Sequence, residues 1–111
     1  MDINPQELDP NPEDFMQPSE MSNLEKTPMG PIVDAVQQRK ALLINLRSNR
    51  KLYGYVKAVD RHWNMIIENA TEIWDELLQN GRTTTHQRNI NRLFLRGDNV
   101  ISVLPNPEPP A

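Results

Sequence analysis

Apolar and polar side chains alternate along much of the chain between residues 41 and 104, and short polar segments interrupt the pattern. In ALLINLR (41–47), Leu42, Ile44 and Leu46 fall on one face. A period of two places alternate side chains on opposite sides of a β-strand. The pattern predicts five strands, at 41–47, 51–59, 64–74, 90–96 and 99–104.

The segment before the first strand has a different period. In GPIVDAVQQRK (30–40), Ile32, Val33 and Val36 form an apolar stripe with helical spacing, and Pro31 can occupy the first turn of a helix. The sequence therefore predicts one short helix over 30–40. A helix of about three turns needs a surface to pack against, and the following sheet can provide it.

Two residues indicate how the predicted strands turn and bend. In SNR (48–50), Asn49 is the residue that best tolerates a positive φ. Gly54 lies in the middle of the second strand, where glycine often marks a bend or a bulge. A five-stranded sheet of this size can bury its inner face only by curling on itself. The predicted fold is mainly β, with a short N-terminal α-helix followed by a strongly bent, five-stranded antiparallel sheet that forms a small barrel.

Proline and charge divide the 111-residue chain into three parts. All ten prolines lie outside residues 32–104. We therefore expect an acidic, proline-rich and mostly disordered tail at 1–28, a folded domain at 29–104 and a proline-rich tail at 105–111. Within the domain, DELLQNGRTTTHQRN is predicted to be a polar loop over about 75–89.

Composition narrows the functional class. The chain has a net charge of −3, but residues 1–28 carry −6 and residues 29–104 carry +4, so the domain suits a polyanionic partner. The sequence contains no cysteine, and neither a signal peptide nor a membrane-spanning stretch is visible. A soluble intracellular protein is expected.

Two polar clusters, DRHWN and RGD, lie between predicted strands that are otherwise apolar. They provide an imidazole, an amide, a guanidinium and a bare backbone, at His62, Asn64, Arg96 and Gly97. An imidazole and a guanidinium can stack on the two faces of an unpaired base, while an amide can hydrogen-bond its edge. If the two connections lie at the same end of the barrel, these residues form a base-binding site, in which Asp60 would orient Asn64.

Other interpretations of the clusters are weaker. Asp and Asn are common turn formers, so the first cluster could be purely structural. Asp60 and His62 have no nucleophile beside them, so we do not expect an enzyme. The two histidines, His62 and His86, do not have the spacing of metal ligands, and no metal or other cofactor is expected. RGD could act in cell adhesion, but the chain shows no signal for secretion.

The spacing of the clusters resembles a known family. LINLRSNRKLYGYVKAVDRHWNM, followed after a variable segment by LFLRGDNVISVL, resembles the two-part motif of the Sm and Sm-like family over about residues 30–107. This resemblance implies the Sm fold, an SH3-like barrel. It also implies that His62 and Arg96 sandwich one base and that Asn64 reads its edge. Gly97 would admit the nucleic-acid backbone.

The resemblance also implies two supporting roles in the first cluster. Asp60 would hold the side chain of Asn64, and Arg61 would contact phosphate. The sequence departs from the family pattern at Trp63, where a small or apolar residue is usual, and at Asn49, which replaces a glycine. The segment between the third and fourth strands is also shorter than expected.

The partners implied by the resemblance are other Sm proteins in a heteroheptameric ring, with Sm D-one and Sm F as the expected neighbours, and uridine-rich small nuclear RNA. The function would be pre-mRNA splicing in the nucleus, after assembly in the cytoplasm. Apolar edge strands favour such a ring, because an unpaired edge is an aggregation hazard for a monomer. The alternatives are an Sm-like ring subunit in RNA decay or processing, a scaffold subunit without base contacts, and a monomer whose tails cover its edges.

Overall fold

The computed structural model describes residues 15–17, 20–21 and 27–110. Helix α1 spans Gly30–Gln38, and the five strands that follow are β1 (Ala41–Leu46), β2 (Arg50–Val59), β3 (Met65–Leu77), β4 (Thr83–Leu95) and β5 (Val100–Pro105). A short 3-10 turn, Gly97–Asn99, joins β4 to β5. The predicted fold class, a short helix and then a bent five-stranded antiparallel sheet, is confirmed.

Helix α1 begins at the predicted residue and ends at Gln38, two residues before the predicted end. Proline occupies the first turn, and Ile32 and Val33 are completely buried against the barrel. Arg39 adopts the left-handed conformation (φ 55°, ψ 47°), which ends the helix. The N–H of Lys40 then donates to the carbonyl of Ala35 at 3.0 Å. The chain turns directly into β1, and α1 therefore lies over the sheet.

The order of strands in the sheet is β4-β3-β2-β1-β5, and all paired neighbours are antiparallel. β4 and β5 are thus the two edges. In the pairing of β3 with β4, Met65 lies opposite Leu95. The turn before Met65 and the connection after Leu95 are consequently side by side, and this register brings the two polar clusters to one end of the barrel.

The core follows the predicted alternation. In β1, Leu42, Ile44 and Leu46 are buried, while the intervening residues are partly exposed. The cluster continues through the start of β3 and the end of β4, where Met65, Ile67, Leu93 and Leu95 are buried. Of the described helices, none is long and apolar enough to cross a membrane.

The sheet bends at Gly54. The register between β2 and β3 shifts between Tyr53 and Tyr55, where Gly54 alone faces two residues of β3, and this marks a bulge in β3 opposite the glycine. A Cβ at Gly54 would lie 2.8 Å from Cγ2 of Ile67 and 3.2 Å from Cα of Ala70. The bulge places the predicted bend at Gly54, where the absence of a Cβ lets β3 approach the backbone closely. Asn49 has a φ of 62°, as its position in the first hairpin predicts.

Gly54→Val is expected to lower the free energy of unfolding by about 2 kcal/mol, because the branched side chain would overfill the contact with Ile67 and Ala70. Gly54→Ala adds one carbon at the same place and should have a smaller effect. Urea unfolding of the full-length chain, followed by tryptophan fluorescence, measures both. If Gly54→Val unfolds at the wild-type urea concentration, the bend does not depend on this glycine.

The prediction of a polar loop over 75–89 is wrong. β3 continues to Leu77 and β4 begins at Thr83, so only a short turn at 78–82 connects them. Beyond the barrel both faces of this hairpin meet solvent, and polar side chains pair across its strands. Thr85 Oγ1, for example, donates to Asp75 Oδ1 at 2.7 Å. Such cross-strand pairs stabilise strands without apolar alternation, which is why the pattern misled the prediction.

A buried charge holds this hairpin to β2. The Glu72 side chain is 1% exposed, and its Oε2 lies 3.1 Å from Arg50 Nη1. Arg88 Nη2 approaches the other oxygen, Oε1, at 2.7 Å as an ion pair rather than as an aligned hydrogen bond. The Arg50 guanidinium also lies 4.7 Å above the Trp74 ring, which stacks on His86 with the ring centroids 5.4 Å apart. Three strands are thus joined through one carboxylate.

Part of the tail that is predicted to be mostly disordered, residues 1–28, packs on the barrel. Phe15, Met16 and Met21 are buried, and the N–H of Met16 donates to the carbonyl of Val59 at 3.0 Å. Apolar residues interspersed among acids therefore pack on the end of β2. Residues 1–14, 18–19 and 22–26 lie outside the described residues, and the prediction for them is not addressed. At the other end, β5 includes Pro105, the first residue of the predicted C-terminal tail.

Candidate nucleic-acid interface

The two polar clusters are joined by a direct hydrogen bond. The backbone N–H of Gly97 donates to Oδ1 of Asn64 at 2.7 Å, although 33 positions separate the two residues. The contact is possible because Met65 and Leu95 are register partners. The structure therefore brings the DRHWN turn and the RGD segment together, as the base-binding hypothesis requires.

Asp60 is the residue that organises the first turn. It is buried, and its Oδ1 accepts the backbone N–H groups of His62 (2.8 Å) and Asn64 (3.0 Å). Its Oδ2 accepts the side-chain amide of Asn64 at 2.9 Å. Charge-assisted bonds of this kind hold their donors firmly. The predicted contact between Asp60 and Asn64 is therefore present, and the Asn64 amide has a fixed orientation.

The fixed amide still has hydrogen-bonding capacity. An asparagine side chain carries two N–H donors and an oxygen with two lone pairs. In Asn64, one donor is used by Asp60 and one lone pair by Gly97. One donor and one acceptor can therefore point to a ligand without breaking either bond, and this pair suits the edge of a nucleobase.

Gly97 has a structural reason to be glycine. An ideal Cβ at this position would overlap the carbonyl oxygen of His62 and lie 2.8 Å from the carbonyl carbon of Trp63. Both are backbone atoms that cannot move without opening the turn. The missing side chain thus lets the two clusters meet, and its predicted role in admitting the nucleic-acid backbone stays a prediction.

The stacking candidates are accessible. His62 is exposed, and it lines an open cavity of about 360 Å³ together with Gly97 and Ile101. The Arg96 side chain is also exposed, with Nη2 3.8 Å from Oδ2 of Asp98. Arg96 comes directly before Gly97 at the end of β4, so its guanidinium belongs to the same end of the barrel as His62.

Arg61 is placed differently from the other candidates. Its side chain is 76% exposed, and its Nη2 lies 3.9 Å from Oε2 of Glu20 in the N-terminal segment. An exposed pair at this distance is weak, so Arg61 can exchange Glu20 for phosphate. The sequence offers no signal for this contact, because 41 positions of chain separate the two residues.

Trp63 contributes in a way that sequence reasoning did not identify. It has a φ of 68°, which is unusual for a bulky side chain, and it is half-buried against the core. Its backbone N–H donates to the Asp60 carbonyl at 3.2 Å, which closes the turn. The indole therefore anchors the polar turn to the barrel. An aromatic residue inside a polar turn is the signal that could have suggested it.

These side chains are of the kinds that can bind an unpaired base. The two turns carry an accessible ring and an accessible guanidinium, together with an amide whose direction is set by a buried carboxylate. Stacking and edge recognition need such pre-oriented groups. A family model, the LSM domain, matches residues 35–105 of this chain. The chain belongs to the LSM family.

Two relatives of this LSM-domain protein are both named Sm D2. It is 43% identical over 86 residues to the probable small nuclear ribonucleoprotein Sm D2 of Dictyostelium discoideum, covering 72% of this chain and 77% of the relative. It is 47% identical over 81 residues to Sm D2 of Saccharomyces cerevisiae, covering 72% of each. Within the family, VDRHWNM and LFLRGDNVISVLPNP resemble Sm D2, and these relatives confirm that resemblance.

A solved structure shares the fold of this LSM-domain protein. The crystal structure of a heptameric archaeal Sm protein superposes with a TM-score of 0.52 at 24% sequence identity, covering 70% of this chain and 98% of that chain. At this identity the likeness concerns the fold alone. The LSM-domain match and the Sm D2 relatives confirm the predicted resemblance to the Sm and Sm-like family.

Proposed function

We propose that this LSM-domain protein is a core Sm subunit of spliceosomal small nuclear ribonucleoproteins. In this role it occupies a heteroheptameric ring that binds the uridine-rich single-stranded Sm site of small nuclear RNA during pre-mRNA splicing. The observation that carries the proposal is the bond from Gly97 to Asn64, which joins the two candidate base-binding turns. The likeness to relatives named Sm D2 supports the choice of complex.

The edges of the sheet support assembly into a ring. β4 and β5 each have one neighbour in the described sheet, and Ile101 and Leu104 of β5 are exposed. Pairing β4 of one subunit with β5 of the next would satisfy both edges in a head-to-tail contact, which either closes into a ring or continues as a filament. The proposed neighbours are Sm D-one and Sm F. A ring also lets several weak nucleotide sites act together.

In the proposed site, each side chain has one task. His62 and Arg96 stack on the two faces of a base, and Asn64 uses its remaining donor and acceptor on the base edge. Asp60 holds Asn64 in the direction that makes this possible. Arg61 contacts phosphate after it leaves Glu20. These tasks are binding tasks, and we propose a binding protein rather than an enzyme.

Arg96→Ala combined with Asn64→Ala is expected to weaken retention of oligouridine by the assembled ring at least tenfold, because one stack and one edge contact are lost. The ring itself should still form, since neither side chain belongs to the apolar core. The measurement is fluorescence anisotropy with labelled oligouridine on rings assembled from the full-length chain and its partners. Size-exclusion chromatography checks that the rings have formed.

Arg82→Ala is the matched control, because it removes the same charge from an exposed position in the turn at 78–82, at the opposite end of the β3–β4 hairpin from Met65 and Leu95. Wild-type affinity in the double variant, or an equal loss in Arg82→Ala, would favour the scaffold alternative, in which the polar turns make no base contact. Failure of the double variant to form rings would contradict the assignment of these residues to RNA.

A cytoplasmic Sm-like subunit that acts in RNA decay or processing would present the same site. The RNA and the two neighbouring subunits that co-purify with the chain distinguish the alternatives. Uridine-rich small nuclear RNA with Sm D-one and Sm F supports the splicing assignment, with nuclear localisation after cytoplasmic assembly. Decay intermediates with other Sm-like subunits would overturn it.

A further inference from the structure

A second cavity opens on another part of the barrel. It has a volume of about 530 Å³ and lies between the C-terminal end of α1 and the adjoining part of β2 and β3. Its lining residues are Val36, Arg39, Tyr55, Val56, Lys57 and Glu68. None of them belongs to the two polar turns, so the site proposed above does not use this cavity.

The end of α1 creates the cavity. Arg39 takes the left-handed conformation, and the chain then turns into β1, so the last turn of the helix overhangs the sheet. Val36 of the helix and Val56 of β2 give the cavity an apolar side. Tyr55 is 41% exposed and is the cross-strand partner of Glu68. An open aromatic ring thus lies beside an apolar surface, and this arrangement suits a flat ligand.

The charges around the Tyr55 ring are mixed in sign. Arg39 and Lys57 are exposed cations of the lining. Lys57 Nζ lies 3.6 Å from Oε2 of Glu68, and both side chains remain accessible. An exposed pair of this kind is weak, so both partners can contact a ligand. The lining therefore provides two cations for an anion and one carboxylate that accepts hydrogen bonds.

We propose that this cavity binds one further nucleotide of the same RNA, with a base that carries an exocyclic amino group. The base stacks on Tyr55, its amino group donates to Glu68, and its phosphate contacts Arg39 and Lys57. Uracil lacks an amino donor, so this nucleotide differs from those of a uridine tract. The inference rests on the proposed function, which identifies the RNA, but the residues that line the cavity are separate from those of the two turns.

The position of the cavity allows one RNA strand to reach both this cavity and the two polar turns. Lys57 precedes Asp60, the first residue after β2, by three residues, which corresponds to about 10 Å of extended chain. A nucleotide next to the uridine tract can therefore enter the cavity while the tract remains at the turns. The cations favour this occupant over a neutral peptide. An acidic peptide is the competing occupant, and the experiment separates the two.

The test compares two fluorescent probes on assembled rings that contain the full-length chain. One probe is oligouridine, and the other is the same tract extended by a guanosine-rich segment, placed at each end in turn. Tyr55→Leu should weaken binding of one extended probe about tenfold, the effect of losing one base–aromatic stack, and should leave oligouridine affinity unchanged. Tyr53→Leu is the matched control, since Tyr53 lies on the same strand and does not line the cavity.

A second variant keeps the test independent of any folding defect in Tyr55→Leu. Glu68→Gln retains the shape of the side chain, and it should reduce the preference for guanosine over uridine in the extension. Equal affinity of both probes for the wild-type ring would overturn the proposal, as would equal effects of Tyr55→Leu and Tyr53→Leu. A polyglutamate peptide that displaces the extended probe and itself requires Tyr55 would assign the cavity to a protein partner and overturn it as well.

The two proposals can fail separately. If oligouridine binding requires Arg96 but the extension adds no affinity, the proposed function stands and the cavity has no nucleotide. If the extended probe requires Tyr55 but not Arg96, the cavity binds RNA and the assignment of the two turns is wrong.

Discussion

Gly97→Ala is expected to lower RNA retention by the ring more than tenfold and to reduce the free energy of unfolding by about 3 kcal/mol. The new Cβ would overlap the carbonyl oxygen of His62, which is a backbone atom in a turn closed by Asp60. The two clusters must then separate, and the bond from Gly97 to Asn64 is lost. The core does not include these residues, so the barrel itself should remain folded.

Gly81→Ala is the control for this substitution. Gly81 has a φ of 81° but no atom within 4 Å of an added Cβ, so alanine there should cost only the conformational penalty of about 1 kcal/mol. The measurements are urea unfolding of each variant and anisotropy with oligouridine on assembled rings. Wild-type RNA affinity in Gly97→Ala would show that contact between the turns is not needed for binding, and the central proposal would lose its main support.

Glu72→Ala is expected to lower the free energy of unfolding by about 3 kcal/mol, the lower end of the range for breaking a buried ion pair. The carboxylate is 1% exposed and contacts Arg50 and Arg88 on both neighbouring strands. Its removal leaves two cations and a cavity at the base of the β3–β4 hairpin. The loss stays at the lower end because the Arg88 side chain is 52% exposed and can be solvated. Urea unfolding followed by tryptophan fluorescence measures the change, and Trp74 lies beside the site.

Two further variants separate charge from packing at this place. Glu76→Ala removes an exposed carboxylate from the same face of β3, 3.6 Å from His86, and should change stability by less than about 0.5 kcal/mol. Replacing Arg50, Glu72 and Arg88 together with methionine removes the charges and keeps apolar volume, which should cost less than Glu72→Ala alone. If Glu72→Ala and Glu76→Ala unfold at the same urea concentration, the buried carboxylate does not hold the hairpin.

The long β3–β4 hairpin shows where sequence reasoning reached its limit. Inside the barrel one face of each strand is buried, so alternation in the sequence reports the strand, as in β1. Beyond the barrel neither face is part of the core, and pairs such as Asp75 with Thr85 replace apolar burial. Hydrophobic periodicity cannot detect such a segment, and the pairs become visible only when the strands are aligned.

The sequence by itself determined the helix, the strands of the barrel, the bend at Gly54 and the turn at Asn49, because periodicity and backbone preference are local properties. It also determined which side chains the two polar turns offer and which family they resemble. Only the tertiary structure decided that Asn64 bonds to Gly97, since that contact depends on the register of Met65 with Leu95. The contacts of Glu72 with Arg50 and Arg88 depend in the same way on strand pairing. The cavity beside Tyr55 depends on both strand pairing and helix placement, which local sequence does not encode.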